Sequence, residues 1–169
     1  MKQEFLNGIK RVHFVGIGGS GMSPLAEILH SLGFAVTGSD VNESDNLARM
    51  RRLGIPIMMP QKAENIGDTD LVVYTAAVSA DNPELVAANE RNIPLMERAK
   101  LLGALSRRFS DTVAVAGTHG KTTTSSMVSK ILLQADRDPS VFIGGRLPLI
   151  DANGHAGSAE VLVSEAGDF

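Results

Sequence analysis

Arg11-Val-His-Phe-Val-Gly-Ile-Gly-Gly-Ser-Gly21 decides the fold. Its opening residues are apolar and β-branched and are closed by glycine, the pattern of a short buried strand. Beyond it, Leu25, Ile28, Leu29 and Leu32 fall at i, i+3, i+4 and i+7 and make one apolar helix face. Pro24 is acceptable only in a first helical turn, where its missing N–H is not needed, so the spacing predicts a helix start near Ser20. Gly33 ends that helix as a residue free to turn left-handed. Ala35-Val-Thr-Gly-Ser39 follows as a second strand and runs into Asp40. Strand, glycine turn, helix, strand is a βαβ unit.

The alternation continues outward. Asp45 to Leu53 is polar and helix-prone, Leu71 to Thr75 is an apolar strand, and Asn82-Pro83 opens a helix to about Arg91. Ile93 to Met96 reads as a strand and Ala99 to Arg108 as a helix. This order predicts a parallel sheet with helices on both faces. Near Ser106-Arg-Arg-Phe-Ser-Asp111 the chain turns polar, and a domain boundary is expected there. Thr112 to Ala116 restarts the cycle, followed by a glycine loop and a helix from Lys121 to Gln134. Val141 to Ile143 and Val161 to Ser164 read as later strands, with Gly144 to Gly157 a glycine-rich loop between them. A domain begun near residue 110 would hold only about a third of the usual length, so the second unit reads as truncated.

Composition narrows the function. The 169 residues are 43% apolar and 21% charged, with a net charge of −3, ordinary for a globular protein with a real core. The absence of cysteine removes disulfides, thiolate metal sites and cysteine nucleophiles together, and fits a reducing compartment. A slightly acidic chain lacks the basic face of a duplex binder, and with no Trp and one Tyr it lacks stacking platforms for single strands. Met1 to Lys10 has no apolar signal-peptide core, and no run approaches the roughly 20 residues of a membrane span, so a cytoplasmic location is expected.

Glycine is the outlier, and it clusters in two loops. In the first, Gly16-Ile-Gly-Gly-Ser-Gly21, glycines permit a tight turn and close approach to a diphosphate at a helix N-terminus. Asp40, at the end of the second strand, suits a carboxylate hydrogen-bonded to a ribose hydroxyl. The form is G-x-G-G-x-G, one place short of the strict dinucleotide fingerprint, so it speaks for diphosphate more than for nicotinamide. The second loop, Gly117-Thr-His-Gly-Lys-Thr-Thr-Thr124, is a shortened phosphate loop. Backbone N–H groups would cradle phosphate, Lys121 would reach the terminal phosphates and the Thr122 hydroxyl would bind Mg²⁺. Only two residues separate Gly117 from Gly120, and Val115 stands where the full motif has glycine.

Together with Gly38-Ser-Asp40, Asp81-Asn-Pro-Glu84, Ile93-Pro94, Arg98-Ala99, Gly144-Gly145 and Glu165-Ala166, in that order, these loops resemble the Mur ligases of peptidoglycan synthesis. The Gly-Gly-Ser-Gly-Met22 form favours the branch that adds L-alanine over the one that recycles murein tripeptide. The resemblance implies a Rossmann-like domain at 1–109 that binds the UDP part of the substrate, then the truncated start of a P-loop ATP-binding α/β domain at 110–169. It implies an ATP-dependent carboxylate–amine ligase that joins L-alanine to UDP-N-acetylmuramate through an acyl phosphate, in the cytoplasm, with ATP and Mg²⁺.

By the same resemblance, Gly18, Gly19, Ser20, Gly21, Met22, Asp40 and Thr75 would hold the UDP substrate. Gly117, Thr118, His119, Gly120, Lys121, Thr122 and Thr123 would hold ATP. Lys121 and Glu165 would be catalytic, with Thr122 and Glu165 on the metal. The chain departs from the family in three places. Where serine–alanine is frequent it has Ala76-Ala77, leaving Thr75 or Ser79 to supply a hydroxyl, and after Glu165-Ala166 it reads Gly167-Asp168-Phe169. It also stops before the family's downstream histidine and modified lysine, so these residues alone are expected to bind without turnover.

Of the remaining residues, His13 is expected to be packed or edge-exposed rather than a ligand. A phosphate role for His119 and simple loop geometry stay open. Arg49, Arg51 and Arg52 read as a solvated helix face, and Asp68, Asp70 and Asp81 as loop caps. Two other functions remain: a nucleotide-sugar-binding module without catalysis, and a dinucleotide-dependent oxidoreductase, which leaves Lys121-Thr122 unexplained. Missing strands in the second sheet would leave an edge able to pair with a second copy.

Overall fold

The glycine loop after the first strand sits where the strand order of a five-stranded parallel sheet reverses. In the computed structural model, which describes residues 6–148, 150–158 and 160–165, the elements follow in order. They are β1 (Arg11–Val15), α1 (Ser23–Ser31), β2 (Ala35–Ser39), α2 (Asp45–Arg52), β3 (Ile57–Met58), a 3-10 turn (Ala63–Ile66), β4 (Leu71–Tyr74), α3 (Pro83–Glu90), β5 (Leu95–Glu97) and α4 (Arg98–Ser106). After these come β6 (Asp111–Val115), α5 (Lys121–Gln134), β7 (Ser140–Leu147), β8 (Ala152–His155) and β9 (Val161–Glu165).

The first sheet is ordered β3-β2-β1-β4-β5, with Val12 of β1 opposite Val36 of β2 and Leu71 of β4. Doubly wound sheets of this kind offer a crevice outside the carboxyl ends of their strands at the point of reversal, here between β1 and β4. The second sheet is ordered β6-β9-β7-β8; β9 lies parallel to both β6 and β7, and β8 is antiparallel to β7. The sheets are not separate bodies. Phe142 of β7 and Leu162 of β9 belong to the same buried cluster as Phe14, Leu25 and Leu29 of the first unit.

The expected α/β architecture stands, and most element ends agree to within a few residues. The helix start is a correction: α1 begins at Ser23, not near Ser20, because Met22 N–H and Ser23 N–H both bond to Gly19 O and turn the chain once more before it coils. Pro24 does lie in the first turn. A larger correction concerns Gly144 to Gly157, expected to be a loop. β7 runs on through Leu147 and turns back as β8. Glycine hides this hairpin because its reason is packing rather than propensity: a Cβ on Gly154 would run into Pro24, so a bare backbone lets β8 lie directly on α1.

Two side-chain expectations also resolve. Arg49 is no solvated residue: its guanidinium makes a two-pronged pair with Glu27 of α1, at 2.9 and 2.8 Å, which holds α2 against α1. Asp70 caps as expected. It accepts the Lys10 and Arg11 N–H groups at 3.0 and 2.9 Å and the Arg11 guanidinium at 2.9 Å, which pins the start of β1. Among the described residues, no helix is long and apolar enough to cross a membrane.

Candidate functional site

The first glycine loop is built on β2. Gly16 N–H and Ile17 N–H both donate to Ser39 O, at 2.8 and 3.0 Å. One residue on, Asp40 Oδ2 accepts Gly18 N–H at 2.8 Å, and Asn46 Nδ2 of α2 donates to Gly18 O at 2.8 Å. A side chain at Gly18 has no room: a Cβ would lie 2.9 Å from Asp40 Oδ2 and 3.0 Å from Ser44 Oγ. Asp40 therefore serves the loop first, its other oxygen accepting Val41 N–H at 2.8 Å. A carboxylate has about four lone-pair sites, so acceptor capacity remains for a hydroxyl.

Two neighbouring cavities open on this loop. One, of about 510 Å³, has Gly18, Asp40, Gln61, Thr75, Ser79 and Asn82 among its walls. The other, of about 290 Å³, lies between Ser20, Gly21, Thr75 and Arg98 on the first unit and Phe142 and Gly144 on β7. Both share Gly19 and Thr75. All seven residues expected at the UDP substrate thus line one continuous stretch of surface. Met22 contributes to the smaller cavity from a fully buried position. Arg98 lies against Gly21, where a Cβ would come within 3.0 Å of its guanidinium, and over the Phe142 ring at 6.0 Å.

The second loop stands at the N-terminus of α5. Gly120 is the N-cap and takes φ +76°, a conformation that favours glycine, and no side chain caps the free N–H groups. Gly117, Thr118, His119, Gly120, Thr122 and Thr123 are exposed. Lys121 folds back, its Nζ donating to Gly117 O at 2.8 Å, a bond that a phosphate oxygen could replace. Glu165 ends β9 beside Val115, the last residue of β6. It is buried and accepts the Ser125 hydroxyl of α5 at 3.2 Å. Ala166 and residues 167–169 lie outside the described residues.

Gly144 and Gly145 of β7 let the acid and the phosphate loop each lie close to this strand. A Cβ on Gly144 would sit 3.1 Å from Glu165 Oε2, and one on Gly145 would sit 2.7 Å from Thr122 Cγ2. Gly144 also lines the smaller cavity, which runs from the first glycine loop to the stretch of β7 against which Glu165 packs. The groups present fit a magnesium ion bound with phosphate: one carboxylate, one hydroxyl and open sides, all oxygen. Among the described residues no cluster of three or more His, Cys, Asp or Glu could hold a metal alone, so phosphate oxygens and water would complete the shell.

Sequence reasoning left three features of this region without a role. Arg98, Glu84 and the Gly144–Gly145 pair were visible only as parts of short motifs, and nothing in their local spacing shows what they touch. His13, expected to be packed or edge-exposed, is fully buried; its Nδ1 meets Thr37 Oγ1 at 2.8 Å and its Nε2 meets Glu84 Oε2 at 3.4 Å.

The chain thus combines a doubly wound sheet, with a glycine loop at its point of reversal, and a second α/β unit with a glycine loop at the N-terminus of α5. The family model described as "Mur ligase family, catalytic domain" matches residues 11–110, and the chain belongs to that family. It is 50% identical over 163 residues to a UDP-N-acetylmuramate–L-alanine ligase of Acetivibrio thermocellus, covering 96% of this chain and 35% of that one. The chain spans about a third of the length of the curated relatives it matches. The crystal structure of the UDP-N-acetylmuramate–alanine ligase of Thermotoga maritima superposes with a TM-score of 0.84 at 40% identity, covering 92% of this chain and 37% of that one. A murein peptide ligase of Psychrobacter arcticus has the same TM-score, 0.84, at 26% identity, covering 96% and 38%. Backbone shape therefore does not separate these two relatives, whereas sequence identity differs, 40% against 26%.

Proposed function

We propose that residues 1–109 bind the UDP part of UDP-N-acetylmuramate and that residues 110–169 begin the ATP-binding domain of a ligase that joins L-alanine to it. The observation that carries this reading is the cleft shared by Gly19, Thr75 and Gly144. A substrate with its diphosphate on the first glycine loop would extend its carboxylate through this cleft toward Gly144, the residue against which Glu165 packs.

In this reading Gly18–Met22, Asp40 and Thr75 orient the nucleotide sugar, with loop N–H groups and the adjoining helix end facing the diphosphate. Residues 117–123 cradle the phosphates of ATP, and Lys121 turns from Gly117 O to the terminal phosphate. Mg²⁺, held by Thr122 and Glu165, would neutralise phosphate charge. The sugar carboxylate takes the terminal phosphoryl group, leaving ADP. The L-alanine amine then attacks the acyl phosphate carbon, expelling phosphate and losing a proton as the amide forms. Moving a phosphoryl group toward a carboxylate brings two anions together, and the Lys121 ammonium offsets that repulsion.

Turnover needs more than these residues supply. The phosphate loop is exposed on one side, and phosphoryl transfer requires water to be excluded. We therefore propose that this chain alone binds the UDP substrate and does not ligate. The test is phosphate release with ATP, Mg²⁺, UDP-N-acetylmuramate and L-alanine, beside calorimetric titration with UDP-N-acetylmuramate and with NAD. Saturable binding of the UDP ligand without NAD binding or turnover is expected. NAD binding in its place would overturn the assignment, and robust turnover would overturn the claim of inactivity.

A further inference from the structure

One buried glutamate ties three walls of the larger cavity together. Glu84, in the first turn of α3, is fully buried and lines neither cavity on the glycine loop. Its carboxylate accepts the Ser39 hydroxyl of β2 at 2.5 Å and Asn65 Nδ2 of the 3-10 turn at 2.7 Å, with His13 Nε2 of β1 at 3.4 Å. Burial pushes this carboxyl up, but the hydrogen bonds from His13, Ser39 and Asn65 outweigh it and hold the carboxyl below its ordinary value.

Each of its partners leads to a wall. Ser39 O accepts the Gly16 and Ile17 N–H groups, and the next residue, Asp40, accepts Gly18 N–H. Asn65 also donates to Pro60 O at 3.0 Å, immediately before Gln61. Gln61 Oε1 accepts Asn82 Nδ2 at 2.7 Å, and Asn82 Oδ1 returns to cap Glu84 N–H at 2.9 Å. The glycine loop with Asp40 and the Gln61 loop thus lead back to the Glu84 carboxylate, and the Asn82 cap to its backbone N–H. A leucine would fill a similar volume without the desolvation that a buried carboxylate suffers, so packing alone gives no reason for the acid.

We infer that Glu84 is a positioning residue for the nucleotide cavity: it touches no ligand, and it sets the glycine loop, Gln61 and Asn82 at their mutual spacing. This rests on reading that cavity as the UDP site. Glu84→Gln is the conservative replacement. Its Oε1 can still accept from Asn65, and its amide can donate to Ser39 Oγ and to His13 Nε2 while His13 Nδ1 donates to Thr37. Glu84→Leu releases Ser39, Asn65 and His13 and keeps the Asn82 cap on its backbone N–H.

The test uses this chain, with UDP as the probe and two readouts. By calorimetry, Glu84→Leu should weaken UDP binding by about ten-fold or more, the scale of one lost hydrogen bond to a charged group, while Glu84→Gln stays close to wild type. Leu105→Ala, a core truncation in α4, controls for stability and should leave the affinity of the folded fraction unchanged. By amide hydrogen exchange without ligand, Glu84→Leu should expose the Gly16, Ile17 and Gly18 amides while Val72 and Val73 in β4 stay protected. If Glu84→Leu does not fold, Ser39→Ala and Asn65→Ala each cut one arm, and the first should loosen only Gly16–Gly18. Wild-type affinity with unchanged exchange at Gly16–Gly18 in the folded variants overturns the inference. Failure of the wild-type chain to bind UDP, with the exchange pattern as expected, instead overturns the reading of the cavity and leaves the positioning role of Glu84 standing.

Discussion

Gly18 and Asp40 are joined by a 2.8 Å hydrogen bond from the Gly18 N–H to Asp40 Oδ2, and the same oxygen lies 2.9 Å from where a Gly18 Cβ would be. The glycine is thus required by the aspartate, and the aspartate is held in place by the glycine loop. Gly18→Ala must push Asp40 or Ser44 aside. It is expected to weaken UDP binding about ten-fold and to cost roughly 1–3 kcal/mol in stability, the usual range for overpacking. Calorimetry and urea unfolding of the variant check both figures.

Lys121→Ala removes the loop ammonium but touches nothing in the first unit. In a full-length ligase of the family carrying the same substitution, it is expected to abolish phosphate release and to leave UDP-N-acetylmuramate affinity within about two-fold, less than about 0.5 kcal/mol. Loss of both would mean that the two sites are not carried on separate units.

Asp70 carries the clearest acid dependence. Hydrogen bonds from the Arg11 guanidinium and from the Lys10 and Arg11 N–H groups hold its carboxyl well below the usual aspartate range. A depressed carboxyl stabilises the fold fully above its unfolded value, about pH 4, and that contribution fades as pH falls further toward the folded value. Asp70→Asn should therefore be less stable than wild type near neutral pH, and the gap between their urea midpoints should narrow as pH drops below about 4. A gap constant with pH would contradict this account of Asp70.

The β8 hairpin offers a purely structural test. Gly154→Ala places a methyl group against Pro24 of α1. The hairpin must move, and a loss of roughly 1–3 kcal/mol in unfolding free energy is expected. Because neither residue lines the cavities on the glycine loop, UDP affinity of the folded protein should be unchanged.

What the sequence made legible follows physical range. β1, α1, β2 and α5 are local: short β-branched runs, an apolar helix face and glycine loops are read within a dozen residues, and the two loops were found where they stand. β8 was missed because its reason, the close approach of Gly154 to Pro24, spans distant parts of the chain. Arg49 looked like one charge among three until α1 brought Glu27 within 2.8 Å. Glu84 shows the same limit. Its motif was visible, but its partners lie 71, 45 and 19 residues away, and only the folded chain assembles them.

The central claim is that the UDP substrate lies on the first glycine loop and reaches through the shared cleft toward Glu165. Amide chemical shifts of this chain, followed during titration with UDP-N-acetylmuramate, test it most directly. Saturable shifts are expected at Gly18, Gly19, Ser20, Gly21 and Thr75, with smaller ones at Gly144. Shifts confined to Gly117–Thr124, with the first loop silent, would contradict the account.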